Sequence, residues 1–178
     1  MNLKNALKEE HSKQQTHKII DWIGNSAIKF SDLMDIFFSE EQLLVQRSAW
    51  VVGLTASEHP DLFYPYFDKA VTKLGEKENH PAVTRNILRI LQDIDIPEHL
   101  EGVLVELCLS FIVNPKVPGA IKAFAISTLE NISKKYPELA SEIILILKER
   151  TILEKPAFVS RAKRFCFAME KIHKNGKS

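Results

Sequence analysis

Basic side chains recur near the start of four predicted helices, and together they could bind a negatively charged partner. Neither Asp nor Glu falls in the same predicted turns. An exposed cation at a helix N-terminus opposes the helix dipole at a cost of about 0.3–1 kcal/mol. A row of such cations would suit an acidic peptide, an acidic helix or a phosphate backbone. The residues are Arg47, Arg85, Arg89, Lys122, Arg161, Lys163 and Arg164.

No other group of residues has the spacing of a known catalytic or metal-binding motif. The six histidines include no pair four residues apart with the glutamate of a metalloprotease helix. No Cys-x-x-Cys pair, glycine-rich phosphate loop or Gly-x-Ser-x-Gly segment occurs. Cys108 and Cys166 lie in apolar helical stretches, and we interpret them as buried free thiols. We therefore predict no enzyme activity, no metal site and no cofactor.

The composition is that of an ordinary globular protein. The chain has 178 residues, of which 45% are hydrophobic and 26% charged, and its net charge is +1. The low net charge argues against a dedicated nucleic-acid binder, because such proteins contact phosphates through many Lys and Arg side chains. Residues 1–15 are too polar for a signal peptide, and no apolar run approaches the roughly 18 residues that span a bilayer. We expect a cytoplasmic protein without a membrane segment.

Three prolines begin segments of one design, in which an acidic residue and then apolar residues at helical spacing follow. Pro60, Pro97 and Pro137 are separated by 37 and 40 residues. Proline suits the first position of a helix, because its φ is helical and its missing N–H would be unpaired there. Strand and hairpin signals are nearly absent. The sequence therefore predicts an all-helical protein with a helix start at each of these prolines.

A second helix breaker lies midway through each repeat, at His80-Pro81, at residues 114–119 and at Lys155-Pro156. A period near 40 residues with two helices per unit is typical of HEAT or armadillo-type solenoids. We predict a single domain over residues 1–178. Its parts are an N-terminal cap at 1–25, repeats at 26–58, 59–95, 96–135 and 136–173, and a frayed tail at 174–178.

The N-terminal cap is predicted to be one helix or a helix pair. Gly24 can end a helix in a left-handed conformation. Ser26 can cap the next helix, which has apolar residues at helical spacing from Phe30 to Phe37.

The second helices of the repeats can be aligned on one apolar stripe, which in the second repeat consists of Ile87, Ile90, Leu91 and Ile94. The equivalent residues are Ala49, Val52, Gly53 and Ala56 in the first repeat, Ile121, Phe124, Ala125 and Thr128 in the third, and Ala162, Phe165, Cys166 and Met169 in the fourth. In this alignment Arg47 and Arg85 share one position, and Arg89 and Arg164 share another. The third repeat has Ala123 at the latter position, so the basic row is interrupted.

Residues 45–54, VQRSAWVVGL, resemble the opening of the second helix in HEAT repeats. That pattern has Val-Arg at the turn, then small residues and a Leu-Gly pair, and residues 83–85 and 159–161 match its turn loosely. The resemblance covers about residues 26–173. It implies a right-handed all-α superhelix of about four helix pairs with an N-terminal capping helix, and it implies an interaction scaffold rather than an enzyme.

In such solenoids the second helices line the concave face. The basic residues and Trp50 are therefore candidates for contact with a protein partner, and a partner with an acidic surface would match their charge. Tryptophan is enriched among interface hot spots, although core packing also explains Trp50. An arginine at this turn often pairs instead with an acid of a neighbouring repeat, which would make these residues part of the stacking. We expect a monomer or a weak dimer.

Two other functions stay open. The chain is similar in predicted architecture to the HEAT-like alkylpurine DNA glycosylases, which use aromatic residues and an acid on a basic concave face. Here Trp50 is the aromatic candidate, and no partnering acid is evident. The remaining hypothesis is an accessory subunit of an enzyme, which the sequence does not separate from a free scaffold.

Overall fold

The computed structural model describes residues 1–76 and 79–175, and all regular structure in this part of the chain is helical. Short 3₁₀ helices lie at Pro60–Leu62, Tyr64–Tyr66 and Pro137–Leu139. The α-helices are α1 (Leu3–Glu9), α2 (Lys13–Ile23), α3 (Ala27–Phe37), α4 (Gln42–Glu58), α5 (Phe67–Leu74), α6 (Pro81–Leu91), α7 (Glu98–Val113), α8 (Gly119–Lys135), α9 (Ala140–Thr151) and α10 (Pro156–Asn175). Positions 176–178 of the predicted tail lie outside the described residues.

Met1–Ile94 form one compact unit, built around the long helix α4. This helix packs against α1, α2, α3 and α6, and α5 packs against α6. On α3, the side chains of Phe30, Leu33, Met34 and Phe37 are at most 1% exposed. Their spacing places them on one side of the helix, which confirms the apolar stripe expected there.

Polar side chains cap the first three helices. Asn2, Ser12 and Ser26 each accept a hydrogen bond from the backbone N–H three residues ahead. Gly24 ends α2 with the expected positive φ of 51°, but its ψ of −131° lies outside the left-handed helical region. Glycine adopts this conformation without steric cost because it has no Cβ. The predicted N-terminal cap is thus the helix pair α1 and α2.

Asp95–Ser178 form the second compact unit, which contains α7 to α10. Within it, α8 packs against α7 and α10, and α9 packs against the same two helices. Its core includes Leu104, Cys108, Phe158 and Phe165, all fully buried. Burial raises the pKa of the Cys108 thiol, which therefore acts as a small hydrophobic group. Cys166 is only partly buried, in contrast to the sequence prediction.

The prolines that mark the repeats lie at helix starts in two different ways. Pro97 directly precedes α7 as its N-cap residue, whereas Pro60 and Pro137 begin 3₁₀ helices. Pro81 and Pro156, the mid-repeat breakers, are the first residues of α6 and α10. The four expected helix pairs are therefore α3–α4, α5–α6, α7–α8 and α9–α10.

Counted from the helix starts, the alignment of the second helices agrees for α6 and α10, differs by one residue in α4 and is displaced by one turn in α8. Ile87 and Ala162 are each the seventh residue of their helix. In α8 the seventh residue is Ala125, whereas the sequence alignment placed Ile121 there. Both residues are buried and lie one turn apart, so apolar periodicity alone does not distinguish them.

Candidate partner-binding surface

Arg47 is bound to the end of another helix rather than to an acid. Its Nη1 atom donates hydrogen bonds to the carbonyl oxygens of Leu7 and Lys8, at 2.9 and 2.7 Å. These carbonyls lie in the last turn of α1, where backbone acceptors have no partner within the helix and the dipole favours a cation. Lys8 also pairs with Glu41, which precedes α4, at 2.7 Å. Arg47 therefore fixes the end of α1 on α4.

Lys122 is buried inside the C-terminal unit, with 1% of its surface exposed. Its ammonium group forms an ion pair with Glu154, which also accepts a hydrogen bond from Arg150 at 3.0 Å. Burial raises the pKa of Glu154, but hydrogen bonds from Lys122 and Arg150 outweigh burial and hold that pKa below its ordinary value. The charge of Lys122 is thus neutralised within the unit and is not available to a partner.

A second buried carboxylate in this unit, Glu101 of α7, is neutralised from α8. The Nζ atom of Lys135 lies 2.7 Å from Oε1 of Glu101. Burial raises the pKa of Glu101, whereas hydrogen bonding to Lys135 and Tyr136 lowers it, and the net result is a pKa below the ordinary value. This ion pair joins the two helices of the third repeat.

The helix bounds change the expected dipole cost of the basic residues. Arg85 is in the second turn of α6, and Arg89 is in its last turn, where the dipole favours a cation. Among the candidate basic residues, Lys122 lies in the first turn of its helix, α8. The prediction that all of these cations lie in first turns and oppose the dipole there is therefore wrong, because the other candidate cations lie beyond the first turns of α4, α6 and α10.

Four arginines of the second helices form no ion pair and no side-chain hydrogen bond within the described residues. Arg85 and Arg89 lie on α6 in the N-terminal unit, where Arg85 is exposed and Arg89 half-buried. Arg161 and Arg164 lie on α10 in the C-terminal unit, where Arg164 is exposed and Arg161 half-buried. The ring of Trp50, on the neighbouring helix α4, is half-buried, so part of it is open to solvent.

The helix bounds also identify the positions in α8 that match these arginines. Counted from the helix starts, Arg85 corresponds to Ala123 and Arg89 to Ser127. Neither residue is charged, so the basic row is interrupted in the third repeat in this alignment as well.

Within the last repeat, an open groove lies between α9 and α10. Its volume is about 370 Å³, and its lining residues are Leu147, Lys148, Thr151, Ala162, Lys163, Cys166, Phe167 and Glu170. Phe167 is 71% exposed, and Leu145 on the facing helix is 65% exposed. Burial raises the pKa of the Cys166 thiol, with a smaller opposing effect from Lys148 and a reinforcing one from Glu170. The groove is thus lined by both apolar and charged side chains.

The paired helices and the side-by-side packing of second helices are the features by which a helical repeat array is recognised. Residues 3–166 match the family described as HEAT repeat domain. The chain belongs to the HEAT repeat family. This confirms the predicted all-α solenoid class of fold. HEAT repeats are helical scaffolds that generally mediate protein interactions, and the family is generally non-catalytic.

Comparison of this HEAT protein with curated proteins and with solved structures identified no relative. Across residues 1–76 and 79–175, no group of three or more His, Cys, Asp or Glu side chains is arranged to hold a metal ion. In the same part of the chain, no helix combines the length and the apolar character needed to cross a membrane.

Two features of the C-terminal unit of this HEAT protein were not predicted from the sequence. In the sequence prediction Lys122 lies on the surface, although cations of this kind often pair with an acid of a neighbouring repeat, as Lys122 does with Glu154. The exposed side of α10 was also not predicted, because the sequence does not tell which helix faces other helices cover. The available signal was Phe167, a large apolar residue outside the aligned apolar stripe.

Proposed function

We propose that this HEAT protein is a non-catalytic scaffold that binds an acidic segment of a protein partner along the exposed side of α4 and α6. In HEAT solenoids this side of the second helices lines the concave surface. The proposed contact residues are Trp50, Arg85 and Arg89. The supporting observation is that Arg85 and Arg89 have no ion pair in the described part of the chain, whereas Arg47 and Lys122 are both bound internally.

The spacing of the two arginines suits a carboxylate-rich ligand. Arg85 and Arg89 are four residues apart, so they lie on the same side of α6 with about 5–6 Å between their Cβ atoms. Like charges at this spacing repel each other by about 0.2–0.5 kcal/mol, a cost that a bound acid would remove. A guanidinium group can also bind a carboxylate through two parallel hydrogen bonds. We propose that Trp50, half-buried on the neighbouring helix α4, adds an apolar contact.

The C-terminal unit has a smaller surface of the same kind. Arg161 and Arg164 lie on α10 without an ion pair in the described residues, and Arg164 is exposed. We propose that they form a secondary contact for an acidic partner. Lys122 is not part of this surface because it is buried, and Arg47 is not part of the surface on α4 and α6 because it is bound to the end of α1.

Selection from a displayed library of random peptides tests the proposal without knowledge of the natural partner. Peptides selected on the wild-type protein should be rich in Asp and Glu. They should lose at least about tenfold in affinity for the double variant Arg85→Glu/Arg89→Glu, because two attractive contacts become repulsive. The matched control is Lys4→Glu/Lys18→Glu, which changes the net charge equally at exposed sites on α1 and α2 and should retain binding.

Two outcomes would contradict the proposal. One is equal affinity of the selected peptides for wild type and for Arg85→Glu/Arg89→Glu. The other is a wild-type protein that selects no acidic peptide but binds a DNA oligonucleotide at low salt and loses that binding in the arginine variant. The second result would favour nucleic-acid binding, since phosphate contacts weaken steeply with salt.

A further inference from the structure

The outer side of α10 has a solvent-facing stripe with both apolar and charged members. Val159, Lys163, Cys166, Phe167 and Glu170 follow the i, i+4, i+7, i+8, i+11 spacing of one helix face. Lys163, Phe167 and Glu170 are exposed, and Val159 and Cys166 are half-buried. At the centre of the stripe lies Phe167, whose side chain is 71% exposed.

The charges of this stripe are arranged symmetrically about its apolar centre. Lys163 lies three residues before Cys166, and Glu170 lies three residues after Phe167. Seven residues of α-helix span about 10.5 Å, so each charge is about 5 Å along the axis from the centre. If a second α10 helix packs antiparallel on the first, with a two-fold axis between Cys166 and Phe167, each Lys163 lies opposite a Glu170. The stripe is therefore complementary in charge to a copy of itself.

We propose that a second copy of this chain covers the stripe, through antiparallel packing of the two α10 helices about a two-fold axis. Such an interface uses the same patch on both copies and closes after two chains. The two Phe167 rings pack near the axis, over the groove between α9 and α10, where the lining residues Thr151 and Cys166 are partly exposed. Lys148, on the opposite wall of that groove, adds a second cation near the Glu170 of the other copy. This interface is independent of the acidic-partner surface on α4 and α6.

Charge swaps on the full chain distinguish this interface from simple hydrophobic association. Sedimentation equilibrium of the wild type over the micromolar to submillimolar range should show a monomer–dimer equilibrium. Lys163→Glu puts like charges opposite each other twice per dimer, so the dissociation constant should rise by at least about tenfold. The double variant Lys163→Glu/Glu170→Lys should restore it. Lys18→Glu, an exposed change of the same charge on α2, is the matched control and should leave the constant unchanged.

Thiol cross-linking gives an independent test of the two-fold axis. The two Cys166 residues lie next to that axis and on facing helices, so a short bis-maleimide should link two copies of the wild type through them. Cys108 is fully buried and should not react. The link should disappear in Cys166→Ser and should decrease in Lys163→Glu, with the helical circular dichroism of both variants unchanged.

A wild type that stays monomeric throughout the concentration range would overturn the proposal. So would a dimer whose dissociation constant does not change in Lys163→Glu, or one that the double variant does not restore. Efficient cross-linking of Lys163→Glu at the wild-type level would also contradict it.

Discussion

The sequence alignment gives Arg47 and Arg85 the same position in consecutive repeats, yet only Arg47 is bound within the described part of the protein. Arg47 donates two hydrogen bonds to carbonyls at the end of α1. Arg85 is exposed and has no ion pair in the described residues. The end of α1 lies against Arg47 and supplies its acceptors, whereas no acceptor among the described residues binds Arg85. The repeat pattern thus determines where a cation lies, whereas the neighbouring element determines what it does.

Lys122 and Arg164 show the same contrast in the C-terminal unit. Lys122 is buried, and a buried charge requires a partner because the loss of water costs several kcal/mol. Glu154 is that partner, and Arg150 binds the same carboxylate. Arg164 is exposed, so water already stabilises its charge and no internal acid is needed. Burial therefore separates the structural cations from those available to a partner.

The largest loss of stability is expected from removal of the Glu154 carboxylate, which binds both Lys122 and Arg150. Glu154→Gln leaves the Lys122 ammonium buried without a counter-charge, which should lower the free energy of unfolding by about 3–5 kcal/mol. Urea denaturation followed by circular dichroism measures this change. Arg164→Gln is the matched control and should change the free energy by less than about 0.5 kcal/mol.

The double variant Lys122→Met/Glu154→Gln sharpens the same contrast. It removes both buried charges, so it should be more stable than Glu154→Gln alone. If the double variant is instead less stable than Glu154→Gln, the ion pair is not the reason that Lys122 is tolerated in the core.

Acid should weaken the ion pair that joins α7 and α8. The pKa of Glu101 in the folded protein lies below its ordinary value, so the folded state binds fewer protons than the unfolded chain. The resulting stability is fully present above the ordinary carboxyl pKa of about 4.5 and is lost as pH falls through the folded-state pKa. Glu101→Gln should cost about 1–2 kcal/mol at pH 7 and should flatten the dependence of unfolding free energy on pH below about 5. The same slope in Glu101→Gln as in wild type would contradict this, and Glu106→Gln, at an exposed site on α7, is the control.

The smallest effect tests the packing of α4 on α6, the helices that bear Arg47 and Arg85. A Cβ atom at Gly53 would lie 3.1 Å from Oδ1 of Asn86, whose side-chain amide is held by a hydrogen bond to the carbonyl of Ala82. Ala in place of Gly within a helix normally stabilises by about 0.5–1 kcal/mol. Gly102→Ala on α7, where nothing lies within 4 Å, should show that gain. Gly53→Ala should show no gain in stability, because the added Cβ would crowd Asn86. An equal gain at both sites in thermal unfolding would contradict this close approach of α4 and α6.

Much of the fold could be predicted from the sequence, because helix starts depend on local chemistry. The prolines and the capping serines act within a few residues of their own position, and Pro81, Pro156 and Ser26 lie at the predicted helix starts. The displaced alignment of α8 shows the limit of this approach. Ile121 and Ala125 satisfy the same apolar periodicity, and only the position of the helix start distinguishes them.

The roles of the candidate site residues depend on contacts between residues far apart in sequence. Arg47 and its acceptors are separated by 39 and 40 residues, and Lys122 and Glu154 by 32. The sequence places a cation at each position but does not show whether an acceptor or an acid lies opposite it. It could therefore nominate the basic residues, whereas the division into bound and free cations required the structure.

The most direct test of the account is the comparison of Arg47→Met with Arg85→Met, two identical changes at positions that the sequence alignment pairs. Each variant is measured by urea denaturation and by binding of the acidic peptides selected on the wild type. Arg47→Met should lose about 1.5–3 kcal/mol of unfolding free energy, because it removes two charge-assisted hydrogen bonds, and it should keep its peptide affinity. Arg85→Met should lose less than about 0.5 kcal/mol and should bind the peptides more weakly. Equal stability losses in the two variants, or weaker peptide binding by Arg47→Met alone, would contradict the division of these cations into structural and partner-binding residues.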